Sequence, residues 1–596
     1  MKSKYHFPKI VKWLTSILFV LIIIFYFYFV LPFWGIPFNA QRHTNVPITP
    51  AWALECWLWE DDENTASRVD ELLEGYAKHD IPVRTILIDS PWSLRYNDFI
   101  VDEYRYPDPS NWFKNLEDNG YRVVLWMTCM VNSKNKDTTV ESGKELYEEA
   151  RSKGYLVGDG YQWNWWKGDG GFIDYTNPQA KKWWFGLKQK VFDYGIDGWK
   201  LDGTATFFSN KIFGIPVPYQ RTYEGWKTTR GYMDLYYREE YQHGKSINPE
   251  FVTLARSIDR PFAHPEGFAP FDAAPVTWVG DQKHTWKSQI KNKDDSSEDD
   301  DLVVQGIGGI ENAMRDILLA AKKGYCVIGS DIGGFSGKSI PPRLYIRWAQ
   351  FSTFCGLFLN GGHGERALWK RSQQELEIIR KFSWLHTELI PYIYSHVVLC
   401  HNGGEPLQRP IKGKYHYLFG DDLFVAPIYR DTLSNMINLP NGNWRYLFDD
   451  HKILTGPKTF ANDFPLDEYP VYVRDGAIIP MNICRDYTGF GDGNSNGYMT
   501  FLIYPNGKNQ FTLFNPDSSG GTSIEADYEE KELKITITGK MIPHILRILS
   551  AFEPIQISLD GKLLVQGKDF RYDSIDQRIW IRTKGYSSGK YSIVLK

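Results

Sequence analysis

Eight short apolar runs alternate with longer amphipathic stretches between residues 51 and 362, and this alternation constrains the fold more than any other feature of the chain. Strands that alternate with helices favour a parallel sheet with helical crossovers. Eight such units over about 300 residues predict a (β/α)8 TIM barrel, with a doubly wound open sheet as the alternative. The helix-like stretches include residues 66–78, 142–153, 179–192 and 309–323. The eight runs are residues 52–59, 83–89, 122–127, 198–202, 252–256, 276–280, 325–329 and 356–359.

A charged or polar residue stands at or just after the end of most of these runs. In a (β/α)8 barrel the carboxyl ends of all eight strands meet at one face, where active sites lie. Side chains that are far apart in the sequence would therefore converge there. For any single aspartate the alternative is a helix N-cap, which Asp commonly forms. Caps do not explain the whole set, which is Asp89, Asp202, Arg256, Asp281, Asp331 and His363.

Two long connections interrupt the predicted barrel, at residues 132–169 and 204–249. Both are rich in aromatic residues, in a chain that contains 22 Trp, 36 Tyr and 35 Phe. Long connections in compact domains are usually functional or disordered, and aromatic-rich segments are seldom disordered. We therefore expect both to wall a substrate pocket. An acidic run at residues 294–301 could form a calcium loop, but it lacks the ligand spacing of an EF-hand, so a solvated loop is favoured.

The N-terminus carries a long apolar segment behind a cluster of lysines. An uncharged stretch at residues 13–38 has a core at 17–31 that is dense in Ile, Leu, Phe and Val. A membrane span needs about 20 apolar residues, whereas the core of a signal peptide needs about 7–15. Lysines before the stretch and none just after it favour a cytoplasmic N-terminus. We predict a signal anchor that spans the cell membrane once and leaves the rest of the chain outside. The alternative is a signal peptide cleaved near Ala40, which would release a secreted or periplasmic protein.

The C-terminal part has a different texture. After about residue 390, short strand-like runs alternate with Asn-Gly and Asp-Gly pairs, which signal hairpins. This part is predicted to form two β-sandwiches, divided near residues 481–497. The predicted organisation is a signal anchor and linker at 1–45, a barrel at 46–390, a proximal β-sandwich at 391–482 and a distal β-sandwich at 483–596.

Charge and cysteine content narrow the class of protein further. The formal net charge is -4, and the chain has neither a basic patch nor a P-loop, so nucleic acid is not an expected partner. The six Cys are scattered without a C-x-x-C pair, and several fall in apolar runs. This pattern predicts buried free thiols rather than a disulfide framework.

Two of the strand-end aspartates have the surroundings that glycoside hydrolysis requires. One carboxyl group must stay ionised at the anomeric carbon, while the other carries a proton to the leaving oxygen. Asp202 suits the ionised role, since Lys200 lies two residues away on the same strand face and would lower its pKa. Asp281 suits the acid role, because an apolar setting lined by Trp278 would raise the pKa of its carboxyl group. Spacing alone does not tell the nucleophile from the acid.

These residues stand in segments that resemble glycoside hydrolase family 31. Residues 197–202, Asp-Gly-Trp-Lys-Leu-Asp, resemble the family's nucleophile strand. Residues 277–281, Thr-Trp-Val-Gly-Asp, resemble its acid/base segment and are followed by Trp286. Substrate-binding motifs of the family are similar to Gly-Ser-Asp-Ile-Gly-Gly-Phe at 329–335 and Ala-Arg-Ser at 255–257. The likeness also includes residues 174–178, 423–427, 439–444 and 473–480, and so covers residues 50–480.

The resemblance implies a retaining, exo-acting α-glycosidase of the α-glucosidase, α-xylosidase or α-galactosidase type that works without a metal or organic cofactor. Asp202 would be the nucleophile and Asp281 the acid/base, with carboxyl groups about 5–5.5 Å apart. The substrate would be an oligosaccharide or another glycoside. The residues expected to contact it are Asp89, Trp166, Lys200, Arg256, Trp278, Asp331 and His363.

The chain departs from the family pattern at three points. Lys200 stands at a position where many α-glucosidases have Trp. A Lys at this position resembles family members that act on xylosides and other non-glucose sugars. Gly203 and Thr204 follow the nucleophile, whereas many members have an acidic residue two positions on. In the family a β-sandwich usually precedes the barrel and helps to build one wall of the pocket. Here only about fifty residues precede the first predicted strand, so we expect a more open pocket. The alternative functions are a carbohydrate-binding pseudo-enzyme and an α-transglycosylase on the same fold.

Overall fold

Eight parallel strands form a nearly closed barrel in the computed structural model, which describes residues 9–37, 40–203, 211–212, 215–259, 266–288, 308–517 and 520–596. The barrel strands are β1 Trp57–Leu58, β2 Thr85–Ile88, β3 Arg122–Met127, β4 Gly198–Leu201, β5 Val252–Arg256, β6 Val276–Trp278, β7 Ile328–Gly329 and β8 Leu359–Asn360. They follow one another in chain order, and β1 pairs with both β2 and β8. A bridge between Asp331 and Leu359 joins the two ends of the sheet. The predicted (β/α)8 barrel is confirmed, because a doubly wound sheet would reverse its strand order at a switch point.

Every predicted apolar run overlaps one of these strands, but most strands are shorter than the run. The largest difference is at residues 52–59, where Ala51–Leu54 forms a 3₁₀ helix and two residues make up β1. Pro50 precedes this helix, and the Trp57 indole donates back to the carbonyl of Ala53. A short apolar run is compatible with a strand and with a buried helical turn, so the sequence could not distinguish these two structures here.

Helices pack around the barrel between the strands. The predicted helix at 66–78 is confirmed to the residue, and it begins where Thr65 accepts a hydrogen bond from the backbone N–H of Arg68. Asn177 caps the helix before β4 in the same way. Such caps satisfy N–H groups that the first helical turn leaves free. The helices are α1 Lys9–Phe25, α2 Ala66–Lys78, α3 Pro109–Asp118, α4 Lys144–Ser152, α5 Pro178–Asp193, α6 Thr229–Ile247, α7 Ile310–Lys323, α8 Pro342–Thr353, α9 Gln373–Glu388 and α10 Ile390–His401.

The two long connections are more regular than predicted. The first contains α4 and a small sheet of Met130–Asn135, Gly168–Phe172 and Trp163–Trp165. The second contains short strands at Lys211–Ile212 and Ile215–Pro216, a hairpin of Tyr219–Thr222 with Gly225–Thr228, and α6. No helix was expected within residues 204–249, whereas Thr229–Ile247 forms α6. The pattern was hidden because α6 is rich in buried Tyr, and aromatic residues are mediocre helix formers. The acidic run at 294–301 lies outside the described residues.

Three antiparallel or mixed sheets follow α10. The change of texture predicted near residue 390 comes too early, because α10 extends to His401 in spite of its β-branched and Tyr residues. Residues 408–474 form a six-stranded sheet, and two further sheets contain the strands from Ile478 onward. Ile478–Met481 pairs with Met499–Ile503, and so belongs with the later sheets. The C-terminal strands are Gln408–Pro410, Tyr417–Phe419, Leu423–Val425, Ser434–Tyr446, Asp449–Asp463, Val471–Arg474, Ile478–Met481, Met499–Ile503, Gly507–Phe514, Gly521–Glu529, Glu532–Gly539, His544–Leu549, Pro554–Leu559, Lys562–Leu563, Phe570–Asp573, Arg578–Thr583 and Lys590–Leu595.

The apolar N-terminal segment is one helix of 26 residues, Lys9–Trp34, long enough to cross a bilayer. After α1 it continues in π-helical turns at Tyr26–Trp34. α1 buries none of its residues against the protein, whereas Phe33 in the final turn is buried. A helix of this kind fits either a membrane span or a signal sequence. The prediction of buried free thiols is confirmed, since all six Cys are free and five of them are buried.

The buried guanidinium of Arg230 ties the end of this helix to the barrel. Its Nε donates to the carbonyl of Phe33 at 2.6 Å, and its Nη1 donates to the carbonyl of Gly267 at 3.2 Å. Nearby, Arg42 pairs with Asp234 at 2.7 Å, and both side chains are buried. A buried donor that loses its partner costs about 1–3 kcal/mol. Phe33 and Arg42 are thus both joined to the barrel by buried contacts.

Removing residues 1–34 is expected to destabilise the barrel, whereas removing residues 1–25 is not. The longer deletion uncovers the Arg230 guanidinium, and a loss of about 1–3 kcal/mol corresponds to a Tm lower by several degrees. The measurement is thermal unfolding of both truncated chains in the same detergent. Equal Tm values for the two chains would contradict a structural role for Phe33.

Candidate active site

Arg256 joins the two aspartates that the sequence singles out. It is the last residue of β5, and its Nη2 lies 3.2 Å from Oδ1 of Asp202 and 3.0 Å from Oδ2 of Asp281. Its Nε also donates to Oδ1 of Asp202 at 3.2 Å. Two oxygens that contact one nitrogen at these distances lie no more than about 6 Å apart, and the separation in retaining glycosidases is about 5–5.5 Å. The guanidinium of Arg256 is thus engaged with both carboxylates, and its contact with a sugar hydroxyl stays a prediction.

Lys200 pairs with Asp89 rather than with Asp202. Its Nζ donates to Oδ2 of Asp89, the residue that follows β2. The same ammonium lies 4.2 Å from the ring centre of Trp59 and 5.4 Å from that of Trp278. Arg256 also packs over Trp278, at 4.5 Å. The aromatic faces stabilise both cations, so the fully buried Trp278 is a floor beneath them and not an exposed wall of the pocket.

Asp202 is held in its ionised form. It follows β4 directly, and Trp126 Nε1 donates to its Oδ2 at 3.2 Å. Burial would raise its pKa, but the charges of Arg256 and then Lys200 outweigh burial and lower the pKa below its usual value. The predicted direction is therefore confirmed, although Arg256 contributes more than the lysine that the sequence suggested.

Asp281 does not have the apolar surroundings predicted for it. Its side chain is 37% exposed, and both of its oxygens accept from Arg256 Nη2. Gly280, at φ +97°, turns the backbone between β6 and this aspartate, a conformation that favours glycine. The turn separates Asp281 from the buried ring of Trp278, because the chain leaves the barrel wall there.

Asp331 is the buried acid with the clearest capacity to bind a ligand. It lies two residues after β7 and is 1% exposed, and neither carboxyl oxygen has a hydrogen-bond partner among the described residues. Burial raises its pKa to about 8, against the opposing charge of Lys200. Buried polar atoms almost always have partners, so two unpartnered oxygens indicate a place for donors such as sugar hydroxyls.

Asp61 is a site residue that the sequence reasoning missed. Burial, followed by the charge of Asp89, raises the pKa of Asp61 to about 8. Its Oδ2 lies 3.1 Å from Nε2 of His363, whose Nδ1 lies 2.6 Å from Asp62. Asp61 closely follows β1, so it belongs to the acids that stand just after a barrel strand and are expected at the carboxyl face. It was overlooked because four acidic residues stand in a row at 60–63.

Asp259 is a second missed acid. It is buried three residues after Arg256, and burial raises its pKa to about 7 although Arg256 opposes this. No apolar run ends at this position, so the spacing of strands did not point to it.

Trp166 lies at the edge of the group. It occupies the turn between Trp163–Trp165 and Gly168–Phe172, it is half exposed, and its ring contacts Trp165 at 4.9 Å. Further contacts run from Trp165 through Tyr96 to Trp126, which donates to Asp202. The next residue, Lys167, is close enough to lower the pKa of Asp61. The first long connection thus lies against the site, as predicted.

This arrangement suits a neutral, hydroxyl-rich ligand. The two buried cations contact Asp89 and Asp202. Two further acids, Asp61 and Asp331, have pKa values raised to about 8. Protonated and ionised carboxyl groups in one pocket can both donate to and accept from hydroxyl groups. One ionised carboxylate beside a second carboxyl group is also the arrangement that glycoside cleavage uses.

The fold and this paired set of carboxyl groups are those of the barrel glycosidases as a class. Residues 46–292 and 307–396 match the glycosyl hydrolases family 31 TIM-barrel domain, and residues 408–479 match the C-terminal domain of the same family. The chain belongs to glycosyl hydrolase family 31.

Curated relatives and solved structures agree with this family. An alpha-xylosidase of Emericella nidulans is 25% identical over 73% of this chain and 54% of its own length. An isomaltosyltransferase of Sporosarcina globispora is 24% identical over 94% of this chain and 54% of its own length. The family 31 dextranase of Flavobacterium johnsoniae, solved with glucose, superposes with a TM-score of 0.78 at 22% identity, over 93% of this chain and 71% of its own. The chain spans about half the length of the curated relatives it matches.

Replacing Asp331 by Asn is expected to stabilise the unliganded protein more as the pH rises. The pKa of this group is about 8 in the folded protein and ordinarily 3.8, so the folded state binds more protons and its stability falls between those pH values. The difference in Tm between Asp331→Asn and the wild type should therefore grow from about pH 5 to about pH 8. Asp193→Asn, on the exposed face of α5, is the control, and an unchanged difference across this range would contradict the unpartnered state of Asp331.

Proposed function

We propose that this chain is a retaining, exo-acting α-glycoside hydrolase. The observation that carries the proposal is the contact of both Asp202 and Asp281 with one nitrogen of Arg256. It keeps the two carboxyl groups within the distance at which one can attack an anomeric carbon while the other protonates the leaving oxygen. The wider separation typical of inverting glycosidases, about 6.5–9.5 Å, leaves room for a water molecule and is less compatible with this contact.

The proposed reaction has two steps. Asp202 attacks the anomeric carbon as Asp281 gives its proton to the glycosidic oxygen, so that a glycosyl ester forms and the leaving group departs. Asp281 then removes a proton from water, which attacks the same carbon and releases Asp202. The lowered pKa of Asp202 suits a group that must be ionised at the start. The partial exposure of Asp281 gives it access to both the leaving group and water.

A buried end to the pocket favours exo action. Asp89, Lys200 and Asp331 are buried, whereas the side chain of Asp281 is 37% exposed. A sugar ring placed over Asp202 would meet these groups, and the unpartnered oxygens of Asp331 would accept its hydroxyl protons. A polymer could then extend only toward Asp281 and the solvent. The terminal residue of the chain would be the one removed.

The sugar that we propose as substrate follows from the residues at this buried end of the pocket. Lys200 pairs with Asp89 and lies over Trp59. Many α-glucosidases of the family have Trp at the position of Lys200. Alpha-xylosidases are among the relatives that the chain resembles. We place α-xylosides first and α-glucosides second among the proposed substrates, with α-galactosides as a further possibility to be tested.

Attachment to the membrane is part of the proposal. The helix Lys9–Trp34 is long enough to span a bilayer, and its last turn is packed into the barrel through Phe33 and Arg230. Cleavage near Ala40 would remove that contact. We therefore favour an uncleaved anchor, with the barrel outside the cytoplasm, over a secreted product.

Substitutions of the two aspartates should separate their roles. Asp202→Asn is expected to lower kcat/KM on every substrate by about 10³-fold or more, because no other carboxylate can form the glycosyl ester. Asp281→Asn should cost about 10²–10⁴-fold on substrates with a poor leaving group and much less on aryl glycosides with an acidic phenol. The measurement is initial rates on α-xyloside, α-glucoside, α-galactoside and N-acetylated substrates.

Asp193→Asn is the matched control and should keep wild-type rates. Activity that survives in Asp202→Asn would sink the assignment of the nucleophile, and inactivity of the wild type on the whole panel would favour a carbohydrate-binding pseudo-enzyme. The match to an isomaltosyltransferase along 94% of the chain supports a second candidate, an α-transglycosylase. The same assay with added sugar acceptors distinguishes it, since transfer products would then exceed free sugar.

A further inference from the structure

The apolar helix joins the barrel at a hairpin with exposed aromatic side chains. We call residues 219–228 the aromatic hairpin; its strands are Tyr219–Thr222 and Gly225–Thr228. The hydroxyl group of Tyr219 donates to the carbonyl of Phe27, in the π-helical turns, at 2.7 Å. The second strand of the hairpin and α6 pack against the same turns. The hairpin thus lies beside the end of the segment proposed to cross the membrane.

This junction is at the face of the barrel that carries the carboxylates. The hairpin and the start of α6 follow β4, and α6 returns the chain to the amino end of β5 at Val252. Tyr236, in the second turn of α6, donates to the backbone carbonyl of Asp202 at 3.2 Å. The first residues of α6 are therefore close to the carboxyl face. Because Arg230 at that end holds Phe33, the helix is joined to the barrel near the active site and not at the opposite face.

The outer face of the hairpin carries side chains that folding leaves uncovered. Tyr219 pairs with Thr228, and Arg221 pairs with Trp226, so these side chains share one face, since successive residues of a strand point to opposite sides. The other face, with Gln220 and Thr222, is buried. Trp226 is 71% exposed, and Tyr223 at the turn is 69% exposed. Trp226 is diagonal to Tyr219, which already contacts the helix.

The charges of the hairpin are already paired within the protein. Arg221 lies 2.9 Å from Asp159, and Lys227 lies 2.8 Å from Glu224. An electrostatic partner therefore gains little from this surface. Tyr and Trp, in contrast, are the residues enriched where a protein meets the headgroup region of a bilayer.

We propose that the aromatic hairpin rests in the headgroup region of the membrane, with Trp226 and Tyr223 in contact with lipid. This inference rests on the membrane anchor of the proposed function. The helix fixes where the bilayer begins, and the hairpin beside it supplies a second contact that stops the barrel from turning about the helix. The mouth of the active site then opens at the membrane surface, so that glycans held close to the bilayer reach it most readily.

The experiment places a fluorophore at single positions of the full chain in phosphatidylcholine nanodiscs. Five native cysteines are buried, so Cys484→Ser gives a background in which Trp226→Cys can be labelled with an NBD group. Doxyl-labelled lipid is the quencher. We expect about twofold or greater quenching at position 226, because interfacial side chains lie at headgroup depth, and none at Ile575→Cys, which is 85% exposed in the C-terminal sheets.

A third label separates the failure of this inference from the failure of the anchor. Leu18→Cys, in α1, should be strongly quenched if the helix spans the bilayer. Quenching at 18 with a water-like, unquenched signal at 226 overturns the lipid contact while the anchor stands. No quenching at 18 overturns the anchor, and the inference with it. A signal at 226 that responds to added α-glucan but not to lipid also overturns the proposal, since Trp226 would then bind glycan. Unchanged Tm values for the labelled chains verify that each is folded.

Discussion

Two buried cations, Lys200 and Arg256, hold the active site together. Asp89, Asp202 and Asp281 contact them directly, and a buried charge without a partner would be strongly unfavourable. The cations lie on Trp278, which both of them contact, and each engages carboxylates that come from other strands. Lys200 joins β4 to β2 through Asp89, and Arg256 joins β5 to the residues after β4 and β6. The chemistry of the site and the closure of the barrel wall thus depend on the same contacts.

The contacts of Asp202, Asp61 and Asp331 give these three acids different pKa values. Asp202 contacts Arg256 and has a lowered pKa. The pKa is raised for Asp331, whose oxygens have no hydrogen-bond partner among the described residues, and for Asp61, which contacts His363. One pocket therefore contains ionised and protonated carboxyl groups at the same pH. This combination serves a reaction that needs a nucleophile together with donors and acceptors for sugar hydroxyls.

The sequence alone predicted the barrel, because eight apolar runs of strand length gave both the number of strands and the positions where acids converge. It found Asp89, Asp202, Asp281 and Asp331 by that rule, and it missed Asp61 only because neighbouring acids hid it. Pairings could not be predicted in the same way. Lys200 on β4 meets Asp89 after β2, two strands away, and strand order does not predict this pairing. The surroundings of Asp281 depend on the turn at Gly280. Buried Tyr hid α6, since its composition suggested a loop.

The apolar helix joins the barrel at the end where the carboxylates lie. The apolar helix, the aromatic hairpin and the start of α6 all adjoin the face at which Asp202 lies. An enzyme attached in this way would work on glycans near the surface to which it is bound. In the proposed arrangement, the orientation of the barrel on the membrane affects which glycans reach the active site. The pair of Lys200 and Asp89 then selects among them.

In the proposed reaction Asp202 forms a covalent bond with the sugar, and this glycosyl ester can be trapped and located. The wild-type chain would be incubated with 5-fluoro-α-xylosyl fluoride or its glucosyl counterpart, digested with pepsin and analysed by mass spectrometry. We expect one glycosyl adduct, on the peptide that contains Asp202, with release of fluoride. Turnover of an ordinary α-glycoside should give the α-configured sugar as the first product. An adduct on Asp281 or Asp89, or turnover that gives the β-configured sugar without any adduct, would contradict the proposed reaction.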